Sequence, residues 1–270
     1  MQAFEWYSFL VYSNDAQETM IFHLEKLNKN ERIDDLQYKG LKIIQDETGF
    51  CFGIDSVILS DFAKNIKNDA TVVDLGTGTG IIGTLLCGKT YLKQVIGIEV
   101  QPEVVHMARK SIRLNNLEDR FQIINCDIND IFPKKILEKN KYDVVVTNPP
   151  YKEAGTGIIN ESSKKLISRH EITATLADFI KVAAGLLKHK GEFYIVHKPE
   201  RIVDIITIMR ENKIEPKELR IVYPRKEKDA SLILVKGVKG GNKFTTIDRS
   251  LIIYEEDGSY TNDIKEIYND

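Results

Sequence analysis

Seven short runs rich in β-branched residues, separated by amphipathic segments, constrain the fold of this 270-residue chain most strongly. The runs have the length of strands: TVVDL (71–75), QVIGIEV (94–100), FQIIN (121–125), YDVVVTN (142–148), EFYIVH (192–197), LRIVYP (219–224) and ASLILVKGV (230–238). Helical periodicity is predicted near 80–89, 102–116, 176–188 and 199–212. Strands joined through helices form βαβ units, so the pattern predicts an α/β fold with a doubly wound, mostly parallel sheet. The last two runs have no long helix between them, which predicts an antiparallel hairpin at the sheet edge.

The flanking segments predict short additions to one core domain. GLKIIQ and GFCFGI surround a turn with Gly49, which predicts a hairpin over residues 40–55. We therefore expect an N-terminal extension over 1–37, a core domain over 38–260 that includes this hairpin, and a C-terminal tail over 261–270.

The charges are unevenly distributed, although 38 Lys+Arg and 40 Asp+Glu give a net charge of only −2. The segment charges are −4 for 1–37, 0 for 38–151, +7 for 152–249 and −5 for 250–270. The overall balance excludes a uniformly basic nucleic-acid binder. A local basic surface remains possible in the third segment, with the acidic ends expected away from it.

The composition also suggests where the chain resides. The sequence contains no run of 18 or more apolar residues, so it predicts no membrane span. The first basic residue, Lys26, comes too late for the positive segment of a signal peptide. Cys51, Cys87 and Cys126 fit no zinc or disulfide spacing. We expect free thiols, no bound metal and a cytoplasmic location.

A glycine-rich loop joins the first predicted strand to a helix in VVDLGTGTGIIG. Gly76, Gly78 and Gly80 let the backbone approach a ligand, and the following helix offers unpaired N–H groups. Gly78, Gly80 and Gly83 also satisfy G-x-G-x-x-G, with Glu99 where a dinucleotide fold places its ribose acid. The glycine pattern alone does not separate a nicotinamide dehydrogenase from a methyltransferase.

Acidic residues follow three successive strands. Asp74 closes the first strand, Glu99 the second, and Asp127 follows the third. Ligands of open α/β sheets lie across the carboxyl ends of the strands, so these carboxylates would line one crevice. Each could accept hydrogen bonds from a different part of one adenosyl ligand, which favours a methyltransferase.

The fourth strand leads into Asn148, Pro149, Pro150 and Tyr151. The prolines fix the backbone, so the Asn148 side-chain oxygen and the Pro149 carbonyl form a stiff pair of acceptors. Such a pair suits a planar NH2 group, whose nitrogen is a poor nucleophile until its lone pair is directed at an electrophile. Tyr151 would offer a base a stacking surface. We predict these four residues as the catalytic set.

The segments DLGTGTG, IEV and NCD resemble the motifs of class I S-adenosylmethionine-dependent methyltransferases. The resemblance implies a seven-stranded Rossmann-like sheet and S-adenosyl-L-methionine as cofactor. It assigns Asp74 and the glycine loop to the amino-acid portion of the cofactor, Glu99 to the ribose hydroxyls and Asp127 to the adenine amino group.

NPPY resembles the signature of methyltransferases that act on adenine N6, guanine N2 or glutamine amides. Residues 31–260, including the opening ERIDDLQYKGLKIIQDETGFCFGIDSVILSDF, the RHE at 169–171 and PRKEKDASLILVKGVKGG, resemble the bacterial tRNA1(Val) adenine-37 N6-methyltransferase family. The resemblance implies tRNA as partner and places residues 52–55 over the cofactor. The predicted cofactor-binding residues are Phe52, Asp55, Asp74, Gly76, Thr77, Gly78, Gly80, Glu99, Val100, Asp127, Ile128 and Asn148.

Basic residues beyond NPPY are candidates for phosphate contacts. The predicted RNA-binding residues are Lys164, Lys165, Arg169, Arg201, Arg225, Lys226 and Lys228. We assign no acid–base role to His170 or Glu171, because methyl transfer from a sulfonium needs no strong base.

Two other functions stay open on sequence grounds. The release-factor glutamine methyltransferases share NPPY but resemble a design with a long all-helical N-terminal domain. The chain could also be a non-catalytic RNA-binding protein that has kept the fold. The sequence leaves the oligomeric state undetermined.

Overall fold

The computed structural model describes residues 27–47, 53–151 and 174–269. In these ranges the strands are β1 (Glu31–Asp35), β2 (Lys42–Asp46), β3 (Thr71–Leu75), β4 (Gln94–Glu99), β5 (Phe121–Asn125), β6 (Tyr142–Thr147), β7 (Leu187–His197), β8 (Ile214–Tyr223), β9 (Leu232–Lys239), β10 (Thr246–Ile247) and β11 (Leu251–Ile252). The α-helices are α1 (Ile54–Phe62), α2 (Ile81–Lys89), α3 (Pro102–Leu114), α4 (Leu176–Leu186), α5 (Ile202–Glu211) and α6 (Asn262–Asn269). Short 3-10 helices cover Ile128–Asp130 and Pro199–Arg201.

The main sheet has the order β10-β8-β9-β7-β6-β3-β4-β5, and β11 pairs with β8. Strands β3 to β7 are parallel, whereas β9 is antiparallel to both β7 and β8. The predicted fold is therefore confirmed: a doubly wound, mostly parallel sheet whose seven long strands end in an antiparallel hairpin. The two-residue strands β10 and β11 were not predicted, and they cover the outer side of β8.

Alternating residues of the central strands divide the core between the two faces of the sheet. Val72 and Val144 pack on the face that carries α1, α2, α3 and α6, whereas Val73 and Val145 pack on the face that carries α4 and α5. Parallel strands that are buried on both faces need uninterrupted apolar sequence, as VVDL and DVVVT provide.

Local sequence signals set several helix boundaries. Pro102 begins α3 at a position where its missing N–H costs nothing, and Asn115 ends the helix before the predicted residue 116. Thr175 and Asp178 form a reciprocal capping box at the start of α4.

The predicted hairpin over 40–55 is wrong. Strand β2 pairs with the preceding β1, in the register Ile33↔Ile44, and Ile54 already begins α1. Helix α3 holds the observed β1–β2 hairpin, because the Ser111 hydroxyl accepts from the Ile44 N–H of β2 at 2.9 Å. A buried ion pair joins Lys110 of α3 to Glu31 of β1 at 2.7 Å.

Described residues near both ends of the chain belong to the core, although the predicted bounds place them in an extension and a tail. Leu36, placed in the N-terminal extension, is 1% exposed and belongs to the core. Residues of the predicted C-terminal tail form α6, which buries Ile264 and Ile267 against the same core. Lys89, at the end of α2, donates to the Ile267 carbonyl at 2.8 Å and so stabilises the C-terminal end of α6.

Candidate functional site

The predicted functional residues converge on the carboxyl edge of the sheet. Because β3, β4, β5 and β6 are parallel, the chain leaves all four strands at this edge. Asp74, Glu99, Asp127 and Asn148 lie at or directly after these strand ends. A direct contact joins the first two segments, since the Gly78 N–H donates to Glu99 Oε2 at 3.0 Å.

The glycine loop between β3 and α2 has the backbone that the sequence pattern requires. Gly76, Gly78 and Gly80 have φ values of +70°, +57° and +89°, which L-residues rarely adopt. The N–H groups of Gly76 and Thr77 both donate to the Ile98 carbonyl of β4, which anchors the loop. A Cβ on Gly78 would meet nothing within 4 Å, so this part of the loop borders open space that a ligand can enter.

Gly83, the third glycine of the alternative register, has a packing role. A Cβ at this position would lie 2.3 Å from Cζ of Phe121 on β5. Close approach of α2 to the sheet thus requires glycine here, whichever adenosyl ligand the loop takes.

Asp74 is a buried carboxylate with one unused oxygen. It is fully buried, and the Thr77 hydroxyl donates to its Oδ2 at 2.6 Å. Its Oδ1 is buried and has no hydrogen-bond partner within the described ranges. Burial raises the pKa of Asp74 to about 7; the Thr77 hydroxyl and, to a smaller extent, the Gly83 backbone N–H oppose this increase, and the nearby Glu99 charge adds to it. A cationic amino group would satisfy Oδ1 and offset the desolvation, so this residue fits the amino-acid end of S-adenosylmethionine.

Glu99 and Asp127 both stabilise the turns in which they lie. Besides the Gly78 N–H, Glu99 accepts from the Gln101 N–H at 3.0 Å. Asp127 accepts from the Asn129 N–H at 2.8 Å and so caps the 3-10 helix. Ribose or adenine contacts would share these carboxylates with the backbone.

Two apolar side chains accompany these acids. Val100, after Glu99, is 45% exposed, whereas Ile128, after Asp127, is buried. The exposed Val100 is a suitable surface for a flat apolar ring, which fits its predicted place beside the cofactor.

The start of α1 holds the NPPY segment in place. Asn148 Nδ2 donates to the Ser56 hydroxyl oxygen at 3.1 Å. The Tyr151 hydroxyl donates to Asp55 Oδ2 at 2.7 Å. The structure thus places Asp55 against the predicted catalytic Tyr151, whereas the sequence assigned it to the cofactor. Phe52 lies outside the described residues.

Tyr151 contacts two further residues that the sequence analysis missed, His197 and Lys198. Its ring contacts that of His197 edge-on, with centroids 5.1 Å apart, and Lys198 Nζ lies 5.2 Å from its centroid. A base stacking on the face that Lys198 covers would displace this flexible side chain. His197 is 1% exposed; burial and, to a smaller extent, Arg201 lower its pKa to about 4, so it is neutral at pH 7. His197 ends β7 and Lys198 follows it, at the same sheet edge as NPPY, and this position is the signal that could have identified both.

Four of the predicted RNA-binding residues can be located. Strand β8 is parallel to β7, so the exposed turn with Arg225, Lys226 and Lys228 leaves the sheet at the NPPY edge. Arg201 follows β7 and forms an ion pair with Asp204 at 2.6 Å. The other three, Lys164, Lys165 and Arg169, lie outside the described residues, as do His170 and Glu171.

The expected separation of acidic ends from this basic surface is wrong for the C-terminal end. Strand β11 runs parallel to β8, which brings the turn Glu255–Asp257 to the same edge. Arg225 Nη1 donates to the Glu256 carbonyl at 3.2 Å. The local charge beside Arg225 is therefore mixed.

No group of three or more His, Cys, Asp or Glu side chains in the described ranges is arranged to hold a metal ion. None of the helices within those ranges is long and apolar enough to cross a membrane. Cys87 and Cys126 are buried free thiols, whereas Cys51 lies outside the described residues.

Comparisons with known proteins agree with this geometry. The tRNA1(Val) (adenine(37)-N6)-methyltransferase of Histophilus somni (strain 129Pt) is 25% identical over 245 residues, which cover 86% of this chain and 94% of the relative. A predicted O-methyltransferase of Agrobacterium tumefaciens, Atu636, shares the fold with a TM-score of 0.63 at 20% identity, over 79% of this chain and 95% of that one. M. jannaschii TYW2, solved in complex with AdoMet, gives a TM-score of 0.53 at 17% identity, over 79% and 87% of the two chains. The family model of the methyltransferase small domain matches residues 54–212, more than half of the chain, and the chain therefore belongs to this family.

Proposed function

We propose that this protein transfers a methyl group from S-adenosylmethionine to the N6 amino group of an adenine in tRNA, namely adenine 37 of a valine tRNA. The observation that carries the proposal is an NPPY segment held at the same sheet edge as the glycine loop and the buried Asp74. The tRNA specificity is supported by the Histophilus somni relative, which is named as a tRNA1(Val) (adenine(37)-N6)-methyltransferase and aligns with this chain over 94% of its own length.

The methyl donor is S-adenosylmethionine, which supplies an electrophilic methyl group on a sulfonium centre. Asp74 would hold the amino group at the amino-acid end, because its buried Oδ1 is otherwise unsatisfied. The Gly76–Gly80 backbone would pass beside the ligand, and Glu99 and Asp127 would accept from the ribose and adenine.

The substrate amino group would be oriented by two acceptors. Asn148 Oδ1 accepts no hydrogen bond from any of the described residues, so it is available for one N6 hydrogen. The Pro149 carbonyl would accept the other. Together they would favour a pyramidal nitrogen whose lone pair forms the new N–C bond as the C–S bond breaks, with the N6 proton passing to solvent.

The target adenine must leave its neighbours to reach this pocket. In an anticodon loop the base is unpaired, so turning it out costs little free energy. Tyr151, backed by the neutral His197, would stack on it. Lys198 and the exposed turn with Arg225, Lys226 and Lys228 would contact phosphates, in the cytoplasm where tRNA is processed.

A labelled-cofactor assay with the full-length protein tests the proposal. Bulk tRNA, an isolated release factor and buffer alone are the three arms, and tRNA should be the labelled product. Asn148→Ala should abolish labelling while the cofactor affinity stays within about twofold, because Asn148 orients the substrate amino group that accepts the methyl group. Asn242→Ala, at an exposed asparagine in another part of the chain, is the control that should behave as wild type. Label in the release factor alone would replace this function by glutamine methylation.

A further inference from the structure

We infer that Ser56, at the start of α1, is a positioning residue that holds the Asn148 side-chain amide in place; the inference rests on the proposed amino-group methylation. An asparagine amide has two nearly isosteric orientations, and only one directs its oxygen at the substrate. The Ser56 hydroxyl oxygen lies 3.1 Å from Asn148 Nδ2, where it accepts one of the two amide hydrogens. In this orientation the NH2 end faces α1 and Oδ1 is left for the substrate.

The contact is well suited to resist rotation of the amide. Ser56 is 5% exposed, so water competes weakly for its hydroxyl group. Its backbone N–H donates to Asp55 Oδ1 at 3.0 Å and to the Gly53 carbonyl at 3.3 Å, which fixes the residue in the first turn of α1. If the amide were reversed, the Ser56 hydroxyl could donate to Oδ1, but the NH2 group would face the substrate amino group and donor would oppose donor. Ser56 therefore anchors the amide, and the substrate selects the orientation that presents Oδ1.

The neighbouring residue holds the other end of the same segment. Asp55 accepts from the Tyr151 hydroxyl at 2.7 Å, three positions after Asn148. Consecutive residues of α1 therefore hold the two polar side chains of NPPY, and the two rigid prolines lie between these contacts. The start of α1 therefore fixes the geometry of the NPPY segment before the substrate binds.

The sequence offers a matched control on the same helix. Ser60 is one turn further along α1 and fully buried, but its hydroxyl donates at 2.7 Å to the carbonyl of Val57 in its own helix. Ser56→Ala and Ser60→Ala remove the same atom from similarly buried sites. Only Ser56→Ala removes a contact with the NPPY segment.

Steady-state kinetics and nuclear magnetic resonance of the full-length protein test the inference. Ser56→Ala should lower kcat by about 10- to 100-fold and leave the KM for S-adenosylmethionine within about twofold. Ser60→Ala should retain the wild-type kcat, and Ser56→Thr, which restores a hydroxyl, should recover most of the loss. Equal kcat values for Ser56→Ala and Ser60→Ala would overturn the inference.

A second readout needs no activity. In nitrogen-15 asparagine-labelled protein, with the Asn148 signals assigned by their loss in Asn148→Ala, the Asn148 amide protons should exchange faster in Ser56→Ala than in wild type or Ser60→Ala. Unchanged exchange in Ser56→Ala would also overturn the inference. If wild type labels a release factor and no RNA, the proposed function fails, yet the same kinetic comparison runs on that substrate, since a glutamine amide presents the same planar NH2 group.

Discussion

Asp74 should destabilise the cofactor-free protein at neutral and alkaline pH, and this effect can be measured. Its carboxyl group is fully buried, with Oδ1 unpaired, and burial raises its pKa from 3.8 to about 7. Between these two values the unfolded chain releases the Asp74 proton while the folded chain retains it. Folding stability therefore decreases as pH rises through this window, and the loss levels off above pH 7.

The magnitude follows from the two pKa values. Between pH 5 and pH 8 the Asp74 contribution to the free energy of unfolding should fall by about 3 kcal/mol, given a pKa of about 7 in the folded state. Asp74→Asn does not titrate, so the stability of the variant relative to wild type should increase by that amount over the same interval. Burial of the new amide adds a constant term that cancels in the comparison between pH values.

Urea unfolding of both proteins at pH 5, 6, 7 and 8, without cofactor, measures the difference. S-adenosylmethionine should stabilise wild type and have little effect on Asp74→Asn, because the paired charge is lost. A stability difference that stays constant from pH 5 to pH 8 would refute the interpretation of Asp74 as a carboxylate held ready for a cationic ligand.

Two further predictions concern the packing around the site. Gly83→Ala should destabilise the protein by about 1–3 kcal/mol in urea unfolding, because the new Cβ would lie 2.3 Å from the Phe121 ring; a stability equal to wild type would show that the helix is not closely packed there. His197, whose pKa is lowered to about 4 from 6.5, favours folding above pH 6.5 and loses that contribution as pH falls. From pH 7 to pH 5, wild type should lose about 2 kcal/mol more than His197→Phe in urea unfolding, and parallel pH profiles would contradict a buried neutral imidazole.

Periodicity and strand-end motifs predicted the sheet and its functional edge, because both depend on local sequence. Runs such as VVDL and DVVVT are buried on both sides, which fixes parallel strands, and the carboxyl edge follows from that topology. The methyltransferase small domain family is confirmed, and so is S-adenosylmethionine as the cofactor of this family.

Features that depend on tertiary pairing were missed for a physical reason. The turn chemistry at Gly49 is consistent with a hairpin, but β2 pairs with β1, and Ser111 of α3 accepts from Ile44 in the same hairpin. Ser56, His197 and Lys198 meet the NPPY segment only after the chain folds, since 92 residues separate Ser56 from Asn148. The acidic turn at Glu255–Asp257 reaches Arg225 through β11, a two-residue strand that carries no periodic signal.

Mass spectrometry of tRNA nucleosides tests the central claim most directly. Unmodified valine tRNA, incubated with the full-length protein and S-adenosylmethionine, should gain one N6-methyladenosine, located at position 37 by nuclease mapping. The Asn148→Ala protein should leave the tRNA unmodified. Absence of N6-methyladenosine after incubation with folded, cofactor-binding wild type, or its equal formation by Asn148→Ala, would contradict the account.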